Sequence, residues 1–220
     1  EIEGIVSQAI YFTQTGGRTI FLDVAANRYF ALPQNSEGAF TRMWGEMLLS
    51  SADKRALQSL TSLGIELDAP HSMLHQTQVP RVRFSSSEKP RPKPSLFTIG
   101  FAAFLQLAAR RLVKHAGIEA LISKLNPPSR SERSTTSKEE RVLQILDAHR
   151  RASMIIGMHD RCLEKSFAIA HHLHMCGIQC TVVLGVRAAP FLAHCWVQSE
   201  DCVLNDDLER VCSFSPILAS

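Results

Sequence analysis

The chain has 220 residues, 45 % of them hydrophobic, and a formal net charge of +3. That length allows one large domain or two small ones around a sizeable core, and so small a charge gives no argument for nucleic-acid binding. No apolar run reaches the ~20 residues that span a bilayer, and no basic stretch leads into an apolar core near the start, so neither a membrane role nor a signal peptide is expected.

Residues 1–69 read as one small α+β unit. Residues 6–12, 18–24 and 28–32 are strand-like, with turns at Gly16-Gly17 and Ala25-Ala26-Asn27. Asn35 or Ser36 then opens an amphipathic helix through Phe40, Met43, Trp44, Met47 and Leu48. A second helix is expected over 52–63, capped by Ser51 and stopped by Gly64, with Leu57, Leu60 and Leu63 facing inward. Three strands followed by helices suggest a winged-helix-like module. Its sheet leaves edges, and an edge accepts an extended peptide as a further strand. The module is therefore either a peptide binder or a structural cap, and its net acidic balance counts against phosphate binding.

Residues 70–95 read as a linker. Pro70, Pro80, Pro90, Pro92 and Pro94, with Ser85-Ser86-Ser87, favour a semi-extended tether. Arg81, Arg83, Lys89, Arg91 and Lys93 make it basic, which suits a solvated strap or contact with an acidic partner.

Residues 96–220 read as a second α+β unit with a helical front half and an antiparallel sheet. Residues 96–124 carry Phe97, Phe101, Phe104, Leu105 and Leu112 at helical spacing. A buried helix is expected there, with membrane-surface docking through Arg110, Arg111 and Lys114 as the lesser reading. Residues 126–137, with Pro127-Pro128, are a loop. A helix over 138–153 turns Val142, Ile145 and Leu146 inward, and the β-branched run 181–186 is a central strand.

Chemistry concentrates near the C-terminus. Cys162 opens a helix with Leu163, Phe167, Ala170 and Leu173 on one face and Asp160 as its expected N-cap. Free amides and the positive end of the dipole favour a thiolate in that first turn, and the Cys162 N–H is placed to donate to an oxyanion. His194 and Asp206 follow on two strand-like runs, 192–198 and 202–206. If their hairpin is symmetric about Glu200, His194 lies opposite Asp206, Trp196 opposite Leu204, and Val197 opposite Val203. A slip of one residue substitutes Asp207, and Asn205-Asp206-Asp207 is also turn chemistry. Nucleophile, base and orienting acid in this order describe a thiol hydrolase or acyl transferase.

The six cysteines, Cys162, Cys176, Cys180, Cys195, Cys202 and Cys212, all fall in the last part of the chain. A disulfide framework spreads its cysteines through loops, so a reducing, cytoplasmic setting is expected. His171, His172, His174, Cys176 and Cys180 are metal-ligand types, and His172 and Cys176 share a helix face. They lack a CxxC pair, an HExxH motif or a second cluster, so no metal and no cofactor is assigned.

The segments CLEKSFAIAHHLHMCGI, LGVRAAPFLAHCWV and VLND resemble the lasso-peptide B proteins, leader peptidases of lasso-peptide biosynthesis. The resemblance is strong from residue 138 onward and loose in the helical middle. It implies a transglutaminase-like, papain-related fold, with Cys162 as nucleophile, His194 as base and Asp206 as orienting acid. Cys195 and Gln198 depart from the small or acidic residues expected there, without touching the triad.

Asp23, Tyr29-Phe30 and Leu32 are spaced as in the RiPP recognition element, a binder of precursor peptides. That resemblance implies a leader strand added beside Arg28, Tyr29, Phe30, Ala31 and Leu32 and packed on the helix carrying Leu57 and Leu60. It further implies a precursor peptide as substrate, an ATP-dependent asparagine-synthetase-like cyclase as partner, and a threonine near the cleavage point. An amine-accepting acyl transferase and a non-catalytic peptide carrier remain the competing readings.

Overall fold

The structure is a computed structural model that describes residues 10–125, 136–158 and 160–220. The expected start of the first strand at 6–9 and most of the expected loop at 126–137 lie outside the described residues.

The first unit opens with an antiparallel meander of β1 (Ile10–Thr15), β2 (Arg18–Asp23) and β3 (Arg28–Ala31). Thr15 pairs with Arg18 across Gly16 and Gly17, which sit at φ 56° and 72°. A two-residue hairpin of this kind needs positive φ at both positions, which glycine adopts without steric cost. The strands alternate cleanly. Phe12, Phe21 and Phe30 form one cross-strand row, with Phe21 and Phe30 stacked at 4.8 Å. Phe40 meets Phe12 and Phe21 edge-on at 5.1 and 5.3 Å. Tyr11, Ile20, Leu22 and Tyr29 line the opposite face and join the core of the second unit. The sheet is thus covered on both faces, which is why five of the six residues of β2 are buried.

Phe40 belongs to α1 (Glu37–Trp44), which ends earlier than the apolar spacing suggests. Gly45 weakens the helix, and Glu46 turns left-handed at φ 56°. The Glu46 N–H donates to the Met43 carbonyl and the Met47 N–H to that of Arg42, the paired bonds of a Schellman stop. Met47 and Leu48 therefore leave the helix and are exposed.

The expected second helix is two pieces, α2 (Ser51–Ala56) and α3 (Gln58–Thr61), separated at Leu57. Ser50, not Ser51, is the cap. Its hydroxyl accepts from the Asp53 N–H, and the Asp53 carboxylate accepts from the Ser50 N–H.

Residues 70–95 are not a solvated tether. Within them β4 (Leu74–Gln76) adds to the first sheet parallel to β1, and β5 (Phe84–Ser85) is the edge of a second sheet. Thr77 Oγ1 donates to the Ile217 carbonyl, and Gln198 Nε2 donates to that of Pro80. Val79 and Val82 pack against Trp196 and Val203. Edge pairing takes two or three residues, so prolines can flank it without removing a needed N–H.

The second unit places three helices against that sheet. They are α4 (Leu96–Ile122), α5 (Thr136–Ile155) and α6 (Cys162–Met175). α4 is broken at Gly117, whose φ of 72° and ψ of −169° lie outside any helix. Its outer face is largely exposed at Leu96, Phe97 and Phe104, which corrects the expectation of a buried helix. By length and composition it is also long and apolar enough to cross a bilayer, unlike the shorter apolar run read from the sequence. It packs on α5 and α6 through Ala102, Leu105 and Ala109.

The sheet has the order β5-β8-β7-β6-β9, with β6 (Thr181–Arg187), β7 (Leu192–Ser199), β8 (Cys202–Val203) and β9 (Ser215–Ala219). A short α7 (Leu208–Cys212) leads into β9. β7–β8, β6–β7 and β6–β9 are antiparallel, and β5 is parallel to β8. The whole is a mixed α+β architecture. α6 lies on the sheet through Phe167, Ala170 and Leu173, which brings its N-terminus beside β7.

Candidate active site

Cys162 occupies the first position of α6. Arg161, not Asp160, holds the N-cap position, and no side chain caps the helix among the described residues. The first-turn amides are therefore left for the thiol, and the N–H groups of Leu163 and Cys195 both point at its sulfur. His194 lies across from it on β7, buried and hydrogen-bonded to Cys162. His194 Nε2 donates to Asp206 Oδ2 at 2.5 Å, so Nδ1 is the ring nitrogen left to face the thiol. The structure thus brings together all three residues singled out for the triad.

The electrostatics follow from these contacts. Burial works against a thiolate on Cys162, but the hydrogen bond and charge of His194 and the two amides outweigh it and lower the thiol below its ordinary value. Burial likewise opposes charge on His194, yet Asp206 and Cys162 raise it to about 9. Burial also opposes charge on Asp206, and its bonds to His194 and the Asp207 N–H hold the carboxylate below the usual range. The site favours a thiolate beside an imidazolium.

The hairpin reaches this geometry by a different register from the expected one. Ser199 pairs with Cys202 and Gln198 with Val203 across the two-residue turn Glu200-Asp201, in which Glu200 is left-handed at φ 53°. That is one residue off the symmetric register about Glu200, and Trp196 and Val197 do not face Leu204 and Val203. The last backbone bond between the two strands runs from the Leu204 N–H to the Val197 carbonyl at 2.8 Å, and beyond it side chains take over. Asn205 Oδ1 accepts from the Val197 N–H at 2.8 Å, and Asn205 Nδ2 donates to Ser166 Oγ at 2.9 Å. Ser166 Oγ in turn donates to the Cys195 carbonyl at 3.0 Å. Ser85 Oγ donates to the Asp206 carbonyl and Ser86 Oγ to that of Leu204, at 2.7 and 2.6 Å. The chain turns out of the strand and returns Asp206 to His194. Asp207 is left exposed at the N-cap of α7.

Sequence reasoning missed these supports. Asn205 was visible only as turn chemistry, and Ser85 and Ser86 only as part of a linker. Gly185 pairs with His194 on the neighbouring strand, and a Cβ there would lie 2.6 Å from the Trp196 ring and 3.0 Å from Phe214 Cβ. Its missing side chain lets Trp196 and Phe214 flank the imidazole, with centroids 6.2 and 5.0 Å away. No signal in one sequence marks that close approach, although Gly185 stands in the quoted signature.

The metal-ligand types disperse. His172 Nδ1 lies 3.2 Å from His149 Nε2, and His174 Nε2 meets the Cys180 carbonyl. No three His, Cys, Asp or Glu residues gather in ligating geometry among the described residues. All six cysteines are free thiols.

The residues assigned to peptide binding divide. β3 is an edge strand, and Arg28 and Ala31 are exposed on it. Leu32, Leu57 and Leu60 are at most 1 % exposed and form the core beneath Phe40, so they offer no surface to a peptide. Tyr29 turns the other way. Its ring lies 5.6 Å from that of Phe191 at the β6–β7 turn. Burial raises its pKa, and the nearby Cys195 and Cys162 sulfurs raise it further, so the phenol stays protonated beside the Cys162 thiol.

A family model described as the transglutaminase-like superfamily matches residues 103–219, which include Cys162, His194 and Asp206. Neither the curated proteins nor the solved structures contain a match to the chain. With more than half of its length covered and a Cys-His-Asp constellation inside the matched span, the chain belongs to the transglutaminase-like superfamily.

Proposed function

We propose that this protein is a cysteine peptidase that binds the leader of a ribosomally made precursor peptide and removes it during lasso-peptide maturation. The observation that carries the chemistry is the Cys162–His194–Asp206 chain with a lowered thiol and a raised imidazole. In this reading the Cys162 thiolate attacks the scissile carbonyl, and the first-turn amides stabilise the oxyanion. His194 gives its proton to the departing amine, leaving a thioester. It then takes a proton from water, which attacks the thioester, expels the Cys162 thiolate and frees the leader carboxylate, so that the thiolate–imidazolium pair is restored. Asp206 holds the imidazole in the required orientation throughout.

The first unit serves as a winged-helix-like recognition element, with the leader as an added strand on the edge of β3. An asparagine-synthetase-like cyclase then closes the core peptide using ATP. Support for recognition comes from the β3 edge, which no strand pairs among the described residues, and the spacing of Tyr29-Phe30 and Leu32.

The test is incubation with the precursor from the same gene neighbourhood, with and without the cyclase, read by mass spectrometry. Free leader and core, absent with Cys162→Ala while leader binding persists, is the expected result. Continued cleavage by Cys162→Ala overturns it. Superfamily membership equally covers acyl transfer, and a leader joined through its C-terminal carbonyl to an added amine in place of water would show that reaction.

A further inference from the structure

Outside the triad, a cavity lies where the first unit meets the second. It measures about 290 Å³ and opens between the β3 edge and the β6–β7 turn. Ile20, Tyr29, Phe30 and Ala31 line one side, and Ala188 and Phe191 line the other, with Arg18 at the rim. Arg18 is already engaged, since its guanidinium donates to the Leu32 carbonyl and pairs with Glu37, so the cavity is in effect apolar.

Two positions tie this cavity to the reacting centre. Phe191 precedes His194 by three residues, and Phe191 and Leu192 are 50 % and 44 % exposed beside a buried histidine. Tyr29 is at once a residue of the edge strand and a neighbour of Cys162 and Cys195, packed against the same core cluster. A peptide laid along the edge of β3 therefore passes this cavity on its way to the thiol. Side chains of an extended peptide alternate in direction, so one of them meets the cavity while the backbone meets the strand.

We infer that the cleft walled by Tyr29 and Phe191 is a specificity subsite that takes an apolar side chain of the peptide close to the scissile bond. The inference rests on Cys162 being the activated nucleophile. The first unit then does more than hold the tagged peptide, because it also completes the substrate pocket. An occupied subsite would cover Phe191, the half-exposed apolar side chain three residues before the base.

The test uses the full chain and needs no known substrate. Tripeptide chloromethyl ketones, all glycine or with phenylalanine at one of the three positions, alkylate the thiolate with loss of chloride. Rates at Cys162 are followed by peptide mapping, and each is divided by the rate with iodoacetamide, which has no side chain to place. One phenylalanine position should react about tenfold faster or more than the glycine reagent, a typical value of an apolar pocket. Ala188→Phe, which fills the cleft, and Phe191→Ala, which removes a wall, should each reduce that preference to within about twofold of the glycine reagent.

Equal rates for all four reagents, with fast iodoacetamide alkylation, overturn the subsite and leave the nucleophile standing. Preference that survives in both variants overturns it as well. Iodoacetamide alkylation no faster than that of an ordinary thiol overturns the nucleophile, and the subsite with it.

Discussion

His194 bonds Asp206 even though the hairpin, continued outward in its observed register, would set Asp207 opposite it. The difference lies in where pairing stops. After Leu204, whose N–H still donates to the Val197 carbonyl, the Asn205 side chain takes over the pairing, and the turn that follows folds Asp206 back. Asp206→Asn should therefore lower kcat/KM for the proposed precursor cleavage by roughly 10²–10⁴, the range lost when a triad acid no longer fixes its histidine. Asp207→Asn should stay within about twofold of the parent, since its carboxyl meets neither ring nitrogen. Equal losses in the two variants would mean that the register, not the observed bond, decides the partner.

The pH dependence follows from opposite shifts at Cys162 and His194. The competent form needs a thiolate and a protonated imidazole together. It is gained as pH rises through the lowered pKa of Cys162 and lost as pH rises through that of His194, at about 9. The rate of Cys162 alkylation by iodoacetamide reports the acid limb directly. His194→Ala removes the bond and charge that favour the thiolate and leaves burial, which disfavours it, so that limb should move upward. An unmoved limb would place the source of the low thiol pKa in the Cys195 and Leu163 amides.

The triad was legible in the sequence because each member sits on a strong local signal: a cysteine at a helix start, and a histidine and an aspartate flanking one turn. The register was not, because Ser199-Glu200-Asp201 looks like a three-residue loop, and nothing local shows that Glu200 adopts φ 53° to close a two-residue one. The proline-rich strap misled for a related reason. Pro80, Pro90 and Pro92 do mark a chain without α-helix, but two-residue edge pairing at Phe84-Ser85 leaves no period to read. β9 escaped because Pro216 breaks its β pattern, which an edge strand tolerates. Burial of Leu57 and Leu60 was correctly inferred as inward packing, and the conflict lay in also assigning them a peptide to touch.

Asn205 predicts a coupling between fold and site. Asn205→Ala leaves the Val197 N–H without its acceptor, and the Ser166 hydroxyl keeps only its bond to the Cys195 carbonyl. An unsatisfied buried donor costs about 1–3 kcal/mol, to be read from the urea midpoint. Because Asn205 precedes Asp206 directly, kcat should fall more than KM rises. Ser86→Ala, which releases only the Leu204 carbonyl, should cost about 1 kcal/mol and change kcat less.

Gly185→Ala tests the wall around the imidazole. The added methyl would sit 2.6 Å from the Trp196 ring and 3.0 Å from Phe214 Cβ. Trp196 is 2 % exposed and bonded through Nε1 to Gln198, so it has little room to move. Overpacking of this kind costs about 1–3 kcal/mol. The variant should unfold at lower urea, and its alkylation rate should fall with the displaced His194. Wild-type stability would show that Trp196 turns away freely.

The histidine pair behind the site makes stability pH-dependent by its own route. His149 is 1 % exposed, accepts from Gln106 Nε2 at Nδ1, and donates from Nε2 to His172 Nδ1, so both rings are held neutral. Burial comes first among the causes that lower His149 to about 3 and His172 to about 4, with neighbouring positive charge adding to it. Both values lie below the ordinary 6.5 of the unfolded chain. Above that pH neither state binds the proton and the pair contributes no slope. As pH falls below it the unfolded chain takes up protons that the folded chain refuses, so stability drops by up to about 1.4 kcal/mol per pH unit for each ring. His149→Gln combined with His172→Gln should flatten the change in urea midpoint between pH 7 and pH 5, whatever its effect on stability at pH 7. An unchanged slope in the double variant would assign the acid loss to the carboxylates instead.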